Sequence, residues 1–496
     1  MGKTAFFFSH IPQIKWFSVF AEAFKEMEEG NRNVLFVHGE EEKEFAKKFD
    51  VYDEVVDMID GFIFDDLKKI DDVLVSSKIS ELEKQCETNF FWEDLKIDRW
   101  ARAKNNRSFL IQYMNHASSI IFDKVDQYDP IFGYGESTMA IYRMAHHKFD
   151  SLNRKYIGAI STRYFKRFYI EDDWFWRWDK CLEKYSEYLE NGVPLEIKEQ
   201  VEPFFNRIAK EKRKPIAFEN FSEKHSKGYT DFKSQKAGEY IQKVKDLVKV
   251  KSNSEVENNI RYSIIEKSFL TKVKRHLKNK KWHKEYLELV EKELPKNVKY
   301  SSFFLHYQPE YTVDSLGKFY TNQNFLIRNI ASALPADQFL VVKDHPSMIG
   351  LRDASFYEDI KQNSNVILIH HDFNSMDIIE QSQIVFSIVG TSALEAMFLG
   401  VPSILFGKYA FANTNLIKFC ADFWELPQLI NKQLENQPSH DEVERHGVAL
   451  LAAKYSASFE GQLPLAIDKI DAFYDDKSEY NKVKKAFSSY IKEEVL

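Results

Sequence analysis

The sequence predicts an α/β protein in two halves, each a parallel sheet with helices packed on its faces. Two observations carry this. Short apolar runs alternate with segments of helical periodicity over residues 1–165, and the same alternation returns over 300–450. The chain is also long enough to bury more than one core: 496 residues, 44% hydrophobic and 15% aromatic, with no low-complexity tract or internal repeat.

Taken in order, TAFFFS and VLFVHG are strands, and Trp16 to Met27 between them has apolar residues at helical spacing. PIFGYGE (130–136) and KYIGAIS (155–161) are two more strands, with the helical pattern STMAIYRMAHHKF between them; His146 and His147 within it read as surface residues. Residues 166–299 change character. Aromatic residues crowd FYIEDDWFWRW and long charged stretches of helical periodicity follow, so this part reads as a mostly helical insertion or linker. Basic residues gather in 267–286, either as a solvated helical face or as a contact with anionic lipid headgroups on the inner membrane. No nucleic-acid module accompanies them. In residues 300–450 the strands SSFFLHY, FLVVKD, NVILIHH, IVFSIVG and PSILFG alternate with helices such as FLIRNIASAL and SALEAMFLG. Residues 451–496 are helical and are expected to pack back towards the N-terminal domain.

Three scattered cysteines (Cys86, Cys181, Cys420) argue for a reducing compartment without disulfides or a cysteine zinc site. No apolar run approaches the roughly 20 residues that span a bilayer. The N-terminal AFFF is too short for a signal peptide, so a cytoplasmic protein is expected. The net charge of −7 selects no partner.

Candidate site residues cluster where strands end, the edge at which an open α/β sheet binds ligands. After the strand ending VFS, Ser387 and the run Gly390-Thr391-Ser392 open a helix. Thr391 or Ser392 suits the N-cap, and the free N–H groups and dipole there suit a phosphate. Glu395 reads either as a capping-box partner or as a group for a sugar or ribose hydroxyl. At the end of FLVVKD, Lys343 offers charge. Pro346 biases His345 towards an extended backbone, which would let its imidazole reach the crevice. In HYQPEYTVDSLG (306–317), the Gln308 amide can both donate and accept, as a nucleobase edge or a diphosphate requires. Pro309 and Glu310 share that loop, and Asp314, Ser315 and Gly317 suit a turn. In the first half, Glu136 follows a strand and suits a general base or nucleophile, with a dipole-stabilised helix-start carboxylate as the plain alternative. His10 and Arg163 occupy equivalent strand ends. Arg163 could hold a sugar carboxylate in bidentate fashion. No metal site and no cofactor are expected.

The order QPE, then K-x-HP, then GTSALEA–GVP–LFG resembles bacterial capsule and surface-polysaccharide biosynthesis glycosyltransferases, among them the Kdo (3-deoxy-D-manno-octulosonic acid) transferases with QP and HP motifs. The resemblance covers roughly residues 301–409. It implies the GT-B architecture, two Rossmann-like domains facing across a cleft: an acceptor domain at 1–165 and a donor domain at 300–450. It implies a metal-independent transfer of a sugar, Kdo or another acidic sugar among the options, from a CMP- or UDP-linked donor. The acceptor would be a glycan or lipid-linked oligosaccharide in capsule or lipopolysaccharide synthesis. Carried over, Gln308, His345 and Pro346 would meet the nucleotide, with Ser387, Thr391 and Ser392 near its phosphate. The sequence lacks the acidic motif shortly after the Gln that the Kdo enzymes carry. A UDP-sugar 2-epimerase, a polyol-phosphate transferase and a non-catalytic sugar-nucleotide scaffold subunit share enough of these features to stand as rivals.

Overall fold

The computed structural model describes residues 2–11, 13–63, 74–98, 107–172, 178–212, 269–310, 312–409, 411, 414, 416–436, 438–464 and 469–496. The chain divides into two compact units.

The first unit holds a seven-stranded sheet in the order β13-β6-β5-β4-β1-β2-β3. β1 (Thr4–Phe8), β2 (Arg32–Val37), β3 (Glu54–Asp57), β4 (Phe132–Gly135) and β5 (Lys155–Ser161) are parallel, while β6 (Arg167–Glu171) and β13 (Phe459–Glu460) are antiparallel to their neighbours. β1 is buried on both faces, as its unbroken apolar run requires. Side chains alternate along it: Phe6 and Phe8 enter one core, Ala5 and Phe7 the other. Helix α1 (Gln13–Met27) covers the second face. The last helix, Lys477–Glu494, lies against α1, with Phe20 and Phe487 ring centroids 5.0 Å apart and Lys484 Nζ 2.7 Å from Glu22 Oε1. β6 lies inside the stretch expected to be helical insertion. FYIE at the start of that aromatic run pairs with β5 because its alternate residues face a core.

The second unit holds a six-stranded, fully parallel sheet in the order β12-β11-β10-β7-β8-β9. Its strands are β7 (Lys299–Phe304), β8 (Gln338–Lys343), β9 (Val366–Ile369), β10 (Val385–Ser387), β11 (Ser403–Leu405) and β12 (Ile417–Phe419). Helices Asp179–Asn191 and Leu195–Ala209 belong to this unit and pack against His440–Ser456, where Tyr185 OH meets His446 Nδ1 at 2.6 Å. Gly447 lets that contact close: a Cβ there would lie 2.5 Å from the Phe205 ring. A helix spans Phe269–Leu289, so the basic stretch expected at 267–286 is helical where described. Its positions 267–268 lie outside the described residues.

No helix among the described residues is long and apolar enough to cross a membrane. His146 and His147, expected at the surface, are instead packed inward. The His147 ring stacks on Phe90 at 3.8 Å between centroids, and its Nε2 lies 3.2 Å from Asp94 Oδ2. His146 is held below the usual histidine range by burial.

Candidate functional site

Strand order in the second sheet runs outward in both directions from one gap. β7, β8 and β9 follow one another to one side, and β10, β11 and β12 to the other. Loops leaving the two central strands diverge there and open a crevice, so ligands favour this point. β7 and β10 are in register at Phe303 and Phe386, so the loops after Phe304 and Ser387 leave side by side.

The residue that closes this gap is His306, which begins the first motif and which its sequence pattern did not single out. Its Nε2 lies 3.2 Å from Ser387 Oγ and accepts the Ile388 N–H at 3.3 Å. A backbone N–H can only donate, so Nε2 carries no proton and the neutral ring is protonated on Nδ1. Burial, with the positive charge of Arg352 nearby, holds this imidazole down to about 3. It is therefore neutral at physiological pH, although one edge keeps some solvent contact. Gly390 is what makes room: a Cβ there would lie 3.2 Å from His306 Cε1.

Gly390 is also the N-cap of the helix Thr391–Phe398, which corrects the expectation of a Thr391 or Ser392 cap. Ser and Thr are preferred caps, but the ring of His306 occupies the space their side chains would need. The helix start has no side-chain cap, and Gly390, Thr391 and Ser392 are only partly buried. Its first N–H groups are thus left to a ligand or to water. Glu395 is not a capping-box partner, because a glycine cap offers no hydroxyl. It lies buried in the second turn of the helix.

A second layer ties this gap to the HP loop. Arg352 donates from Nη2 to the His306 carbonyl (2.6 Å) and from Nη1 to Asp344 Oδ1 (3.0 Å). Asp344 also accepts from Tyr357 OH (2.6 Å) and from the His345 N–H (2.7 Å). Burial pushes the Asp344 carboxyl up, and Arg352 and Tyr357 pull it back. His345 is extended, as the following proline requires, and caps a short 3-10 turn. Its Nδ1 accepts from Ser347 N–H at 3.2 Å, which leaves the proton of the neutral ring on Nε2. The Ser347 hydroxyl is buried without a hydrogen-bond partner among the described residues. Lys343 is buried rather than offered to solvent, with Nζ 3.2 Å from Ser375 Oγ.

Gln308 departs from its expected role. Its Oε1 accepts from Gln323 (2.6 Å) and its Nε2 donates to the Thr321 carbonyl (3.0 Å), so both ends of the amide serve the loop itself. Asp314 joins in, accepting from the Glu310 N–H at 3.1 Å, and Thr312–Leu316 forms a single π-helical turn. Gln308 thus positions the loop after β7, while Pro309 and Glu310 stand at its partly exposed tip.

In the first unit the reversal of strand order falls between β1 and β4, so the loops at His10 and Glu136 are neighbours there. Glu136 is four residues before the helix Ala140–Ser151, whose N-cap is Met139, and is therefore not a helix-start carboxylate. Its oxygens are held by Gln13 Nε2 and, at 3.4 Å, by Thr138 Oγ1. Arg163 is exposed in the turn between β5 and β6 at φ 65°, with its N–H on Ser161 Oγ (3.1 Å). The structure brings His306, Ser387 and Gly390 together and links them through Arg352 to His345. It brings His10 near Glu136 by strand order, and Arg163 follows β5, the strand next to β4 on the other side.

Two units, each with a parallel sheet and a central reversal of strand order, define a GT-B-type α/β fold. Residues 214–434 match the family model described as "Capsule polysaccharide biosynthesis protein". That segment contains all three motifs. Among solved structures, the Thermosulfurimonas dismutans KpsC beta Kdo 2,4 transferase is similar at 13% identity, covering 69% of this chain and 86% of that one, with a TM-score of 0.34. The beta Kdo 2,7 transferase of the same KpsC is similar at 13% identity over 34% of this chain, TM-score 0.23, and the match spans about half (53%) of that chain's length. A glycosyltransferase from Rickettsia africae matches over 99% of both chains at 9% identity, TM-score 0.28. No curated protein matches the chain.

Proposed function

We propose that the chain is a glycosyltransferase of capsule or surface-polysaccharide assembly, and that its second unit holds the nucleotide-phosphate part of a nucleotide-sugar donor. One observation carries this: at the reversal of strand order, an uncapped helix start at Gly390–Ser392 stands beside His306, with His345 on the same sheet edge after β8, and each ring is in a tautomer that can donate. Charge developing on the departing nucleoside phosphate would be met by the helix N–H groups and by His345 Nε2–H, dipoles already oriented before reaction. His306 Nδ1–H adds a third donor at the same edge. Glu395, buried one helical turn further in, is assigned to a ribose or sugar hydroxyl. In the first unit, Glu136 is assigned to the acceptor hydroxyl as general base. No metal is given a step, and the motif resemblance to Kdo transferases suggests CMP- or UDP-linked donors.

The test is a transfer assay with product analysis, using a glycan or lipid-linked acceptor. Glu136→Gln should slow transfer about 100-fold or more, the ordinary contribution of a positioned base, while leaving nucleotide binding intact. His345→Ala should weaken both. Wild-type transfer rates in both variants would remove these assignments. A product in which the sugar is epimerised rather than transferred would replace the reaction class.

A further inference from the structure

We propose that His370, His371 and Asp372 form a binding site for a divalent transition-metal ion at the carboxyl end of β9. These three consecutive residues leave the strand after Ile369, and one ligand atom from each lies within 4.8 Å of the others. His371 Nε2 is 3.2 Å from one Asp372 oxygen, and His370 Nδ1 is 3.6 Å from the other. Zinc bonds of about 2.0–2.2 Å place tetrahedral ligand atoms roughly 3.4 Å apart, so a shift of about an ångström closes the site. This site does not depend on the nucleotide reading.

The cluster is not accounted for as an ordinary ion pair. His371 meets Asp372 through Nε2, while its Nδ1 is buried with no hydrogen-bond partner among the described residues, and His370 Nδ1 also accepts the Asp372 N–H at 3.2 Å, so the three residues are drawn together at one point. An imidazole binds a metal through a deprotonated ring nitrogen, which the His371 ring can offer. The ring stacks on His370 at 4.3 Å, and the rings of Tyr286 and His283 wall it at 5.6 and 6.4 Å. The Asp372 carboxylate supplies the negative charge that a divalent ion needs beside two neutral imidazoles. Two imidazoles and a single carboxylate suit zinc, cobalt or nickel; magnesium and calcium take oxygen ligands. Ile369 is in register with Lys343, so the ion would sit one strand outward from the HP loop, on the same sheet edge.

The experiment is a titration of the untagged full chain with ZnCl2 and with CoCl2, read by calorimetry and by metal content after dialysis. Wild-type protein should take up a single tight equivalent that excess Mg2+ does not displace. Asp372→Asn should weaken zinc binding at least about tenfold, and His371→Ala should do so at least as strongly. The Asp372 side chain is 75% exposed, so its variant should fold, which an unchanged melting temperature in chelator verifies. No saturable zinc binding by the wild type, or equal binding in Asp372→Asn, overturns the proposal.

Discussion

Both sheets reverse their strand order near the centre, between β1 and β4 in the first unit and between β7 and β10 in the second, yet the loops beyond those two gaps are tied differently. In the second unit the ties form one continuous chain, partly buried at most links and fully buried between Arg352 and Asp344: Ser387 and Ile388 to His306, His306 to Arg352, Arg352 to Asp344, Asp344 to His345. In the first unit Glu136 meets the side chains of Gln13 and Thr138 in a partly exposed place. The difference teaches how the two edges are built. One fixes its donor groups before a ligand arrives, which suits the proposed recognition of a constant nucleotide. The other keeps a carboxylate on side-chain contacts, which suits the proposed acceptor of varying structure.

The contrast can be broken most forcefully at Arg352. Its removal leaves Asp344 buried without its cation, and unpaired buried charges cost about 3–5 kcal/mol. Arg352→Ala should therefore lower the stability of the second unit by that amount in denaturant unfolding. The matched change in the first unit, Gln13→Ala, removes one hydrogen bond to Glu136 and should cost about 1 kcal/mol or less. Equal costs would mean that the two edges are built alike.

Acid sharpens the same comparison by an intermediate amount. Folded His306 stays neutral down to about pH 3, whereas in the unfolded chain it takes up a proton near pH 6.5. Its contribution is whole above that value and is lost as the pH falls towards 3. At pH 5 the loss from this group is about 2 kcal/mol. His306→Asn, which does not titrate, should flatten the stability–pH curve between pH 7 and 5 by that amount. A parallel curve would show that the ring is not held neutral.

Gly390→Ala is the smallest of these changes. The added methyl meets His306 Cε1 at 3.2 Å, a contact the ring can relieve by moving a few tenths of an ångström. Overpacking of this kind costs about 1 kcal/mol. The variant should keep its fold and bind nucleotide several-fold more weakly in calorimetry, since both the ring and the helix start are displaced.

Much of this was legible in the sequence, because strands buried on both faces read as unbroken apolar runs and the helices between them keep their period. β1, β5 and β8 lie where FFF, YIGAIS and FLVVK place them. β12 is three residues long and β3 has a charged residue at each end, so neither leaves a run to read. The site was legible as strand ends carrying polar motifs, but not in its wiring. Gln308 reads as a ligand contact until Gln323, fifteen residues on, takes its oxygen. Arg352 lies outside every motif and matters because the fold brings it to Asp344 and to His306. His147 reads as surface because its partner Asp94 is 53 residues away. In each case local pattern named the residue type and tertiary contact decided its role.

The central claim is that the gap between β7 and β10 binds the nucleotide half of the donor. The most direct test is thermal unfolding of the full chain with CMP, UDP, GDP and dTDP, in the wild type and in His345→Ala. A ligand at 100 times its Kd stabilises by about 2.7 kcal/mol, so one nucleotide should raise the melting temperature well above the other three. That shift should shrink or vanish in His345→Ala. A flat response to all four nucleotides, or a shift that His345→Ala leaves untouched, would contradict the account.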